Sequence, residues 1–238
     1  FFQKFKLNMN QQEFFKSQQL KYNPQLQKFG VEIVVENDKG RSIVATKDLT
    51  PGSVVMVEAP FAFSLHSDQL HKRCASCFNL IDKQPMACAN CQKTRYCSNG
   101  CQRLDWQRGH SKECKTVFQS VESESVATTA DTILLGRVLR KQNQAKASQN
   151  SCDQQANDVL EVVPLQSDAD DVAHLHAHFT EQSERAESNA KLLDKAKNHF
   201  KQARQAEQND LMNLLCQFQA NNFGIDDELL NVLGSGVY

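Results

Sequence analysis

The sequence holds no uninterrupted apolar run near the roughly 18 residues that a membrane-crossing helix needs, so the chain reads as soluble, without a membrane partner. It also has almost no net charge, because 27 basic residues face 28 acidic ones and leave −1. Nothing therefore pulls the whole chain toward nucleic acid or an anionic membrane. A Ser/His/Asp arrangement and a pair of catalytic carboxylates are both missing as motifs. The first residue is Phe1 and not Met, so a trimmed or incomplete start is expected, and the lack of a signal peptide carries little weight. At 238 residues the chain can bury a substantial core, as one domain with an insertion or as two small ones.

Cysteine, by contrast, is concentrated in one stretch. Seven of the nine cysteines and one histidine fall between Cys74 and Cys114, as the pairs Cys74/Cys77, Cys88/Cys91, Cys97/Cys101 and His110/Cys114. Eight such ligands make two complete tetrahedral sets, the requirement of two closed structural zinc sites. A two-residue gap suits a tight turn that aims both thiolates at one ion. The later pairs stand four apart, so on a helix both members face the same way. A disulfide framework would leave an odd cysteine and give His110 no reason to sit in register, and lone buried thiols do not arrive in four evenly spaced pairs. Cysteines committed to metal favour a reducing compartment, cytoplasm or nucleus. Spacing alone leaves sequential and crosswise pairing of the ligands equally open.

The words Cys-x2-Cys, Cys-x2-Cys, Tyr-Cys-x3-Cys-Gln, Asp-Trp and His-x3-Cys resemble a MYND zinc finger over the whole stretch 74–114. The resemblance implies crosswise bracing: Cys74, Cys77, Cys97 and Cys101 hold one Zn2+, and Cys88, Cys91, His110 and Cys114 hold the other. The commoner form has two residues between the positions of Trp106 and His110. Here there are three, with Gly109 as the extra one, and a local bulge before the last ligand pair is expected.

Upstream, residues 1–29 place Phe1, Phe2, Phe5, Phe14, Phe15 and Leu20 among Gln, Lys and Asn, and Asn23-Pro24 is read as a break. This predicts a helix with an aromatic face packed on the body of the protein; a membrane-surface or partner helix has only those aromatics and a few lysines in its favour. From Val31 the period changes. Val31, Ile33 and Val35 alternate, Asp38-Lys39-Gly40 turns, Ser42 to Thr46 resumes an extended run, and after Pro51-Gly52 a further strand is expected over Val54–Glu58.

A plain hairpin core would satisfy that pattern. The order of the words KGRSIVATKDLTPGSVVMVEAPFAF and then the finger, however, is similar to the opening of a SET domain interrupted by a MYND finger, as in the SET and MYND domain lysine methyltransferases. Their Lys-Gly-Arg-Gly turn lies against S-adenosylmethionine; Lys39, Gly40 and Arg41 match it and Ser42 replaces the second glycine. A glycine lets backbone approach a ligand, and Lys or Arg can meet the methionine carboxylate.

Downstream, Thr132–Arg140 has helical spacing and a basic end suited to a helix C-terminus. Residues 141–158 read as an exposed Gln/Asn/Ser-rich linker, with Cys152 an incidental thiol. Order resumes over Leu160–Phe179. His174 and His178 share a helical face there with His176 between them, but nothing completes a metal site, and packed or solvated histidines are the preferred reading. Apolar residues recur every three or four positions from Glu181 to Gln219, which predicts one long amphipathic helix or two in series with a break near Gln208-Asn209-Asp210. The segment FQANNFGIDDELLNVLGSGVY is similar to the family stretch in which Asn-x-Phe precedes a Gly-x-Gly-x-Tyr turn. By that match Asn221 touches the cofactor and Phe223 lines the channel for the target lysine.

The expected architecture is α+β. Residues 1–29 form an N-terminal helical segment, 30–66 the first SET part, 74–114 the finger, 128–219 a helical insertion with linker 141–158, and 220–238 the start of the second SET part. The resemblance implies an S-adenosylmethionine-dependent methyltransferase acting on histone or another lysine-bearing protein. Its Asn-His-Ser-Cys motif and later channel tyrosine would follow Tyr238, so the 238-residue chain alone is expected to be inactive. The alternative is a non-enzymatic interaction module, since such fingers dock proline-containing peptides and some have been associated with DNA. Lys72, Arg73, Lys93, Arg95, Arg103, Arg108, Lys112 and Lys115 outnumber Asp82, Asp105 and Glu113 around the finger, which permits acidic or nucleic-acid contact and equally suits a solvated basic face.

Overall fold

The computed structural model describes residues 9–36, 40–81, 85–119, 126–147, 165–166, 171, 186–226 and 232–237. In chain order its elements are α1 (Met9–Leu26), β1 (Val31–Glu36), β2 (Gly40–Ala45), β3 (Glu58–Ala59), β4 (Ala62–Leu65), β5 (Met86–Ala87), β6 (Arg95–Tyr96) and α2 (Asn99–Asp105). They continue with α3 (Val126–Ala147), β7 (Leu165–Gln166), α4 (Ala186–His199), α5 (Lys201–Gln205), α6 (Gln208–Ala220), β8 (Asn222–Asp226) and β9 (Val232–Val237). Helices mix with short, mostly antiparallel strands, which makes the composition α+β. Packing separates two units, residues 1–59 with 155–166 and residues 60–154 with 167–238.

In the first unit β1 and β2 pair antiparallel, Val31 opposite Ala45 and Glu36 opposite Gly40. Helix α1 is tied to β1 by side chains. Ile33 donates its N–H to Asn23 Oδ1 at 2.8 Å and accepts on its carbonyl from Asn23 Nδ2 (3.3 Å) and Gln19 Nε2 (3.0 Å). These bonds explain why the expected break at Asn23-Pro24 does not occur. Pro24 sits in the last turn, where the missing N–H costs one helical bond, and the helix runs on to Leu26. Phe15 and Leu26 are buried, but Leu20, expected on the apolar face, is 81% exposed. Phe1, Phe2 and Phe5 lie outside the described residues. Leu26, Val31 and Leu165 form a small core with Tyr22, Phe29, Ile33 and Leu49 around it. The strand expected over Val54–Glu58 is mostly absent. Only β3 joins a ladder, parallel to β7, while Val54, Val55 and Met56 are 60%, 40% and 40% exposed. β-rich composition forms a strand only where a partner edge meets it, and among the described residues none meets 54–56.

The second unit is built around α3, which buries Ile133, Leu134, Leu135, Val138 and Leu139 together with Thr129, Thr132 and Arg137. A helix covered on nearly every side is a central one. It starts earlier and ends later than the Thr132–Arg140 expected, and it absorbs residues 141–147 of the expected linker. The reason is local: Lys, Gln and Ala extend an existing helix at little cost. Residues 148–158, including Cys152, lie outside the described residues, as do His174, His176 and His178.

Of the expected helical stretch 181–219, the described part from Ala186 onward is three helices. The chain leaves helical geometry at Phe200 (φ −119°, ψ 125°) and again at Ala206 and Glu207, just ahead of the expected break, so that Gln208–Asp210 open α6. Phe200 is buried with its ring against Gly136 of α3, where a Cβ would have no room. The sheet order is β4-β9-β8 with both pairings antiparallel. Gly234 and Gly236, expected in a turn, lie inside the middle strand opposite Leu65 and Phe63 on one side and Ile225 and Phe223 on the other. Pairing on both edges outweighs the turn preference of Gly-Ser-Gly. No described helix is long and apolar enough to cross a membrane.

Candidate metal centre

Each Cys-x2-Cys pair is shaped by one backbone turn. Phe78 N–H donates to Cys74 O (2.9 Å) and Gln92 N–H to Cys88 O (3.0 Å), and both residues take positive φ, 64° and 58°. That left-handed step folds the chain back so that both sulfurs of a pair face inward. The strands β5 and β6 hold the second knuckle, with Cys88 N–H donating to Thr94 O at 3.1 Å. Ser98 then caps α2 by accepting from Cys101 N–H at 3.1 Å, which places Cys101 in the first turn and leaves Cys97 ahead of the helix. Cys97 and Cys101 therefore converge through a cap, not through one shared helical face. His110 and Cys114 do span a helical turn, Cys114 N–H donating to His110 O at 2.8 Å. Between the two helical pieces Trp106–His110 forms a widened π turn with Gly109 out of helical geometry, the bulge expected from the extra residue.

The result is two groups of four: Cys74, Cys77, Cys97 and Cys101, and Cys88, Cys91, His110 and Cys114, with the ligand atoms of each group within 4.8 Å of one another. Zn–S bonds near 2.3 Å and Zn–N bonds near 2.0 Å would put tetrahedral ligand atoms roughly 3.8 Å (S to S) and 3.5 Å (S to N) apart. The observed separations are close to this. Cys77 and Cys97 Sγ are 3.6 Å apart and Cys97 and Cys101 3.5 Å. In the second group Cys88 and Cys114 Sγ are 3.6 Å apart, and His110 Nε2 is 3.3 Å from Cys88 and 3.6 Å from Cys91. All eight described cysteines are free thiols, so no disulfide competes.

Within each group the thiols are driven apart, Cys74, Cys88 and Cys91 downward and Cys77, Cys97 and Cys114 upward. Burial raises the Cys91 thiol, but His110 and the N–H groups of Thr94 and Lys93 outweigh it and bring Cys91 down to about 6. Burial and the neighbouring Cys88 and Cys91 push Cys114 up to about 12. The Cys77 thiol is likewise raised, by burial first and then by Cys74 and Cys97. Crowded sulfurs resist becoming thiolates together, and a divalent ion removes that resistance. The donor set therefore fits two closed zinc sites, in which the ion cross-links chain segments and leaves no position for a reactive water.

Behind the second group lies a buried layer that sequence reasoning missed. Asp105 and Glu113 are 1% and 0% exposed. Tyr96 Oη donates to Asp105 Oδ2 at 2.8 Å, and Arg137 Nη2 donates to Asp105 Oδ1 at 3.0 Å. Arg137 also grips Glu113 and donates Nη1 to the Phe63 carbonyl at 2.9 Å. Arg140 Nη2 adds Glu113 Oε1 at 3.4 Å and the Arg108 carbonyl at 2.9 Å. The sequence signals are present but not separable from surface charge: Glu113 stands inside His-x3-Cys, Asp105 precedes Trp106, and Arg137 falls in what reads as a basic helix end. A dipole-facing terminal arginine is not what α3 holds, since the helix continues ten residues past Arg137 to Ala147.

The family model for the MYND finger matches residues 74–114. Over a much longer span that includes the finger, the N-lysine methyltransferase SMYD2-A of Danio rerio is 28% identical over 215 residues, 88% of this chain and 44% of that protein. The chain carries a MYND finger and is similar to SET and MYND domain-containing proteins over much of its length. Two further relatives agree: the histone-lysine N-methyltransferase ASHR1 of Arabidopsis thaliana, 29% identical over 44% of this chain and 21% of its own length, and the SET domain and MYND-type zinc finger protein 6 of Schizosaccharomyces pombe, 28% over 62% and 30%. The chain thus spans less than half the length of these relatives.

The remaining residues singled out by the SET and MYND resemblance are placed less completely. Lys39 lies outside the described residues and Gly40 opens β2. Arg41 is exposed, with its guanidinium 5.7 Å from the Phe14 ring centre and 5.2 Å from that of Phe15, and its Nη1 donates to Gln18 Oε1 at 3.4 Å. Asn221 follows α6 and donates Nδ2 to Gln217 O at 2.7 Å, and Phe223 in β8 is 63% exposed. Gly40 and Arg41 belong to the first unit, Asn221 and Phe223 to the second.

Proposed function

We propose that the protein carrying this chain is an S-adenosylmethionine-dependent protein-lysine N-methyltransferase whose substrate is a histone or another lysine-bearing protein. The observation that carries this reading is the extent of the similarity to an N-lysine methyltransferase, 88% of the chain, which reaches well beyond the finger into the strands before it and the helices after it. Lys39, Gly40, Arg41 and Asn221 are the proposed cofactor contacts. The Arg41 guanidinium is suited to the methionine carboxylate, and Phe223 would line the lysine channel. Methyl transfer from a sulfonium to a neutral amine needs alignment and exclusion of water more than acid–base groups, which agrees with the lack of a triad or paired-carboxylate motif. The test is transfer of labelled methyl from S-adenosylmethionine to lysine by the full gene product, against histones and a cell lysate. Label on lysine is expected, and no transfer to any substrate would remove the reading.

A second reading, a finger that docks partner proteins, is favoured by one specific observation. The acids Asp105 and Glu113 that would offset the basic residues around the finger are withdrawn into internal ion pairs, while Lys72, Arg103, Lys112 and Lys115 are exposed and Trp106 is 41% exposed. An aromatic beside cations suits a proline-containing peptide with acidic residues, and DNA less so. Titration with such peptides before and after chelation separates the two readings, because affinity that survives zinc removal would not be borne by the finger.

A further inference from the structure

The second cluster contains a polar atom for which its four ligands do not account. His110 turns Nε2 toward Cys88 and Cys91, which aims Nδ1 at the opposite side of the ring. That nitrogen is buried and has no hydrogen-bond partner, while Asp105 Oδ2 stands 3.9 Å from it. A neutral imidazole that gives Nε2 to a metal carries its proton on Nδ1, and a buried N–H is costly without an acceptor. Asp105 is held where such an acceptor is needed. One oxygen receives the Tyr96 hydroxyl, the other receives Arg137, and Arg137 is fixed in turn by Glu113 and the Phe63 carbonyl. The rings of Phe118, Trp106 and Tyr96 lie 5.1, 5.9 and 6.2 Å from the His110 ring.

We propose that Asp105 accepts a hydrogen bond from the Nδ1–H of His110 when zinc is bound, and that Arg137, reaching in from α3, is the positioning residue that holds Asp105 for this task. Retention of metal by the Cys88/Cys91/His110/Cys114 cluster then depends on a side chain outside the finger. The carboxylate and ring need approach each other by only about 1 Å to reach the 2.7–2.9 Å of a charge-assisted hydrogen bond. Outer partners of this kind set ring orientation and ligand basicity, and their loss commonly costs roughly 10- to 100-fold in metal affinity. The first cluster has no histidine and serves as an internal control. The inference rests on metal in the second cluster and is independent of methyl transfer.

The experiment replaces zinc with cobalt(II) in the 238-residue chain and follows its removal by a chelator, since the spectrum of an all-cysteine site differs from that of a site with one histidine ligand. Asp105→Asn and Arg137→Gln should each release metal from the histidine-containing site roughly 10- to 100-fold more readily while the all-cysteine site is unchanged. Arg137→Lys, which keeps one charged donor, should recover part of the loss. A purely structural role would loosen both sites alike, and that result overturns the proposal. If the variants fail to fold, the nitrogen spectrum of His110 in the unaltered chain still decides it. Metal on Nε2 with a slowly exchanging proton on Nδ1 is expected; metal on Nδ1, a rapidly exchanging Nδ1 proton or an empty second cluster contradicts it.

Discussion

Arg137 and Glu113, 24 positions apart, meet in a two-pronged ion pair, with Nε donating to Oε1 at 2.9 Å and Nη2 to Oε2 at 2.8 Å. The pair fastens the last turn of the metal-binding stretch to the central helix of the second unit. Both residues are buried, and breaking one side of such a pair costs about 3–5 kcal/mol, largely because the other charge is left stranded. Glu113→Gln should lower unfolding stability by an amount near the bottom of that range, since the amide still accepts from Arg137; denaturant midpoints at pH 7 measure it.

The same variant carries a pH prediction. Burial raises the Glu113 carboxyl, but the charge and hydrogen bond of Arg137 and the charge of Arg140 outweigh this, and its value in the folded state lies below the ordinary one. A depressed acid contributes its stability above the unfolded value of about 4.3 and loses it as pH falls through the lower folded value. The stability gap between the original chain and Glu113→Gln should be constant at neutral pH and close below about pH 4. A gap that persists in acid would show that the charge is not what Glu113 contributes.

Gly109 is required by space. A Cβ there would run into the Arg140 guanidinium and come within 2.6 Å of Glu113 Oε1. Gly109→Ala should therefore destabilise by about 1–3 kcal/mol, as overpacking does. Thermal unfolding of the zinc-loaded protein measures it, and Arg140→Ala in the same chain should restore part of the loss by vacating the space.

Cys97→Ser and Cys88→Ser strike different clusters. Structural zinc supplies on the order of 10–16 kcal/mol in isolated fingers, comparable to the whole stability of a typical domain. Each variant should lose its own ion first and expose residues 74–114 to limited proteolysis, followed by mass spectrometry of the cut sites. Full metal content with a resistant finger in either variant would contradict the ligand sets.

For the proposed cofactor site, Asn221→Ala and Arg41→Ala should each weaken S-adenosylmethionine binding about tenfold, or roughly 1.4 kcal/mol, by calorimetric titration. Because Arg41 also lies over Phe14 and Phe15, its variant is compared by melting temperature as well, so that lost packing is not mistaken for lost binding.

The metal-binding stretch was the most legible part of the chain because ligand chemistry fixes both residue type and spacing. Cys74 through Cys114 admit few alternatives, and even the extra Gly109 announced its bulge. What lay behind the ligands was not legible, since Asp105, Glu113 and Arg137 look like ordinary surface charges until tertiary contacts bury them. Element boundaries shifted where context overrode local preference. Pro24 stayed helical because Asn23 is bonded to Ile33, Val54–Met56 found no partner edge, Gly234 and Gly236 became a middle strand, and Lys141–Ala147 extended α3. Leu20 is exposed, while Phe15, Gln18 and Leu26 are the described α1 residues that are buried.

The ligand sets themselves are tested most directly by metal analysis joined to X-ray absorption on the purified chain. Two zinc ions per chain are predicted, with seven sulfur ligands and one nitrogen ligand shared over the two sites. One ion or none, or a shell dominated by oxygen, would contradict the account.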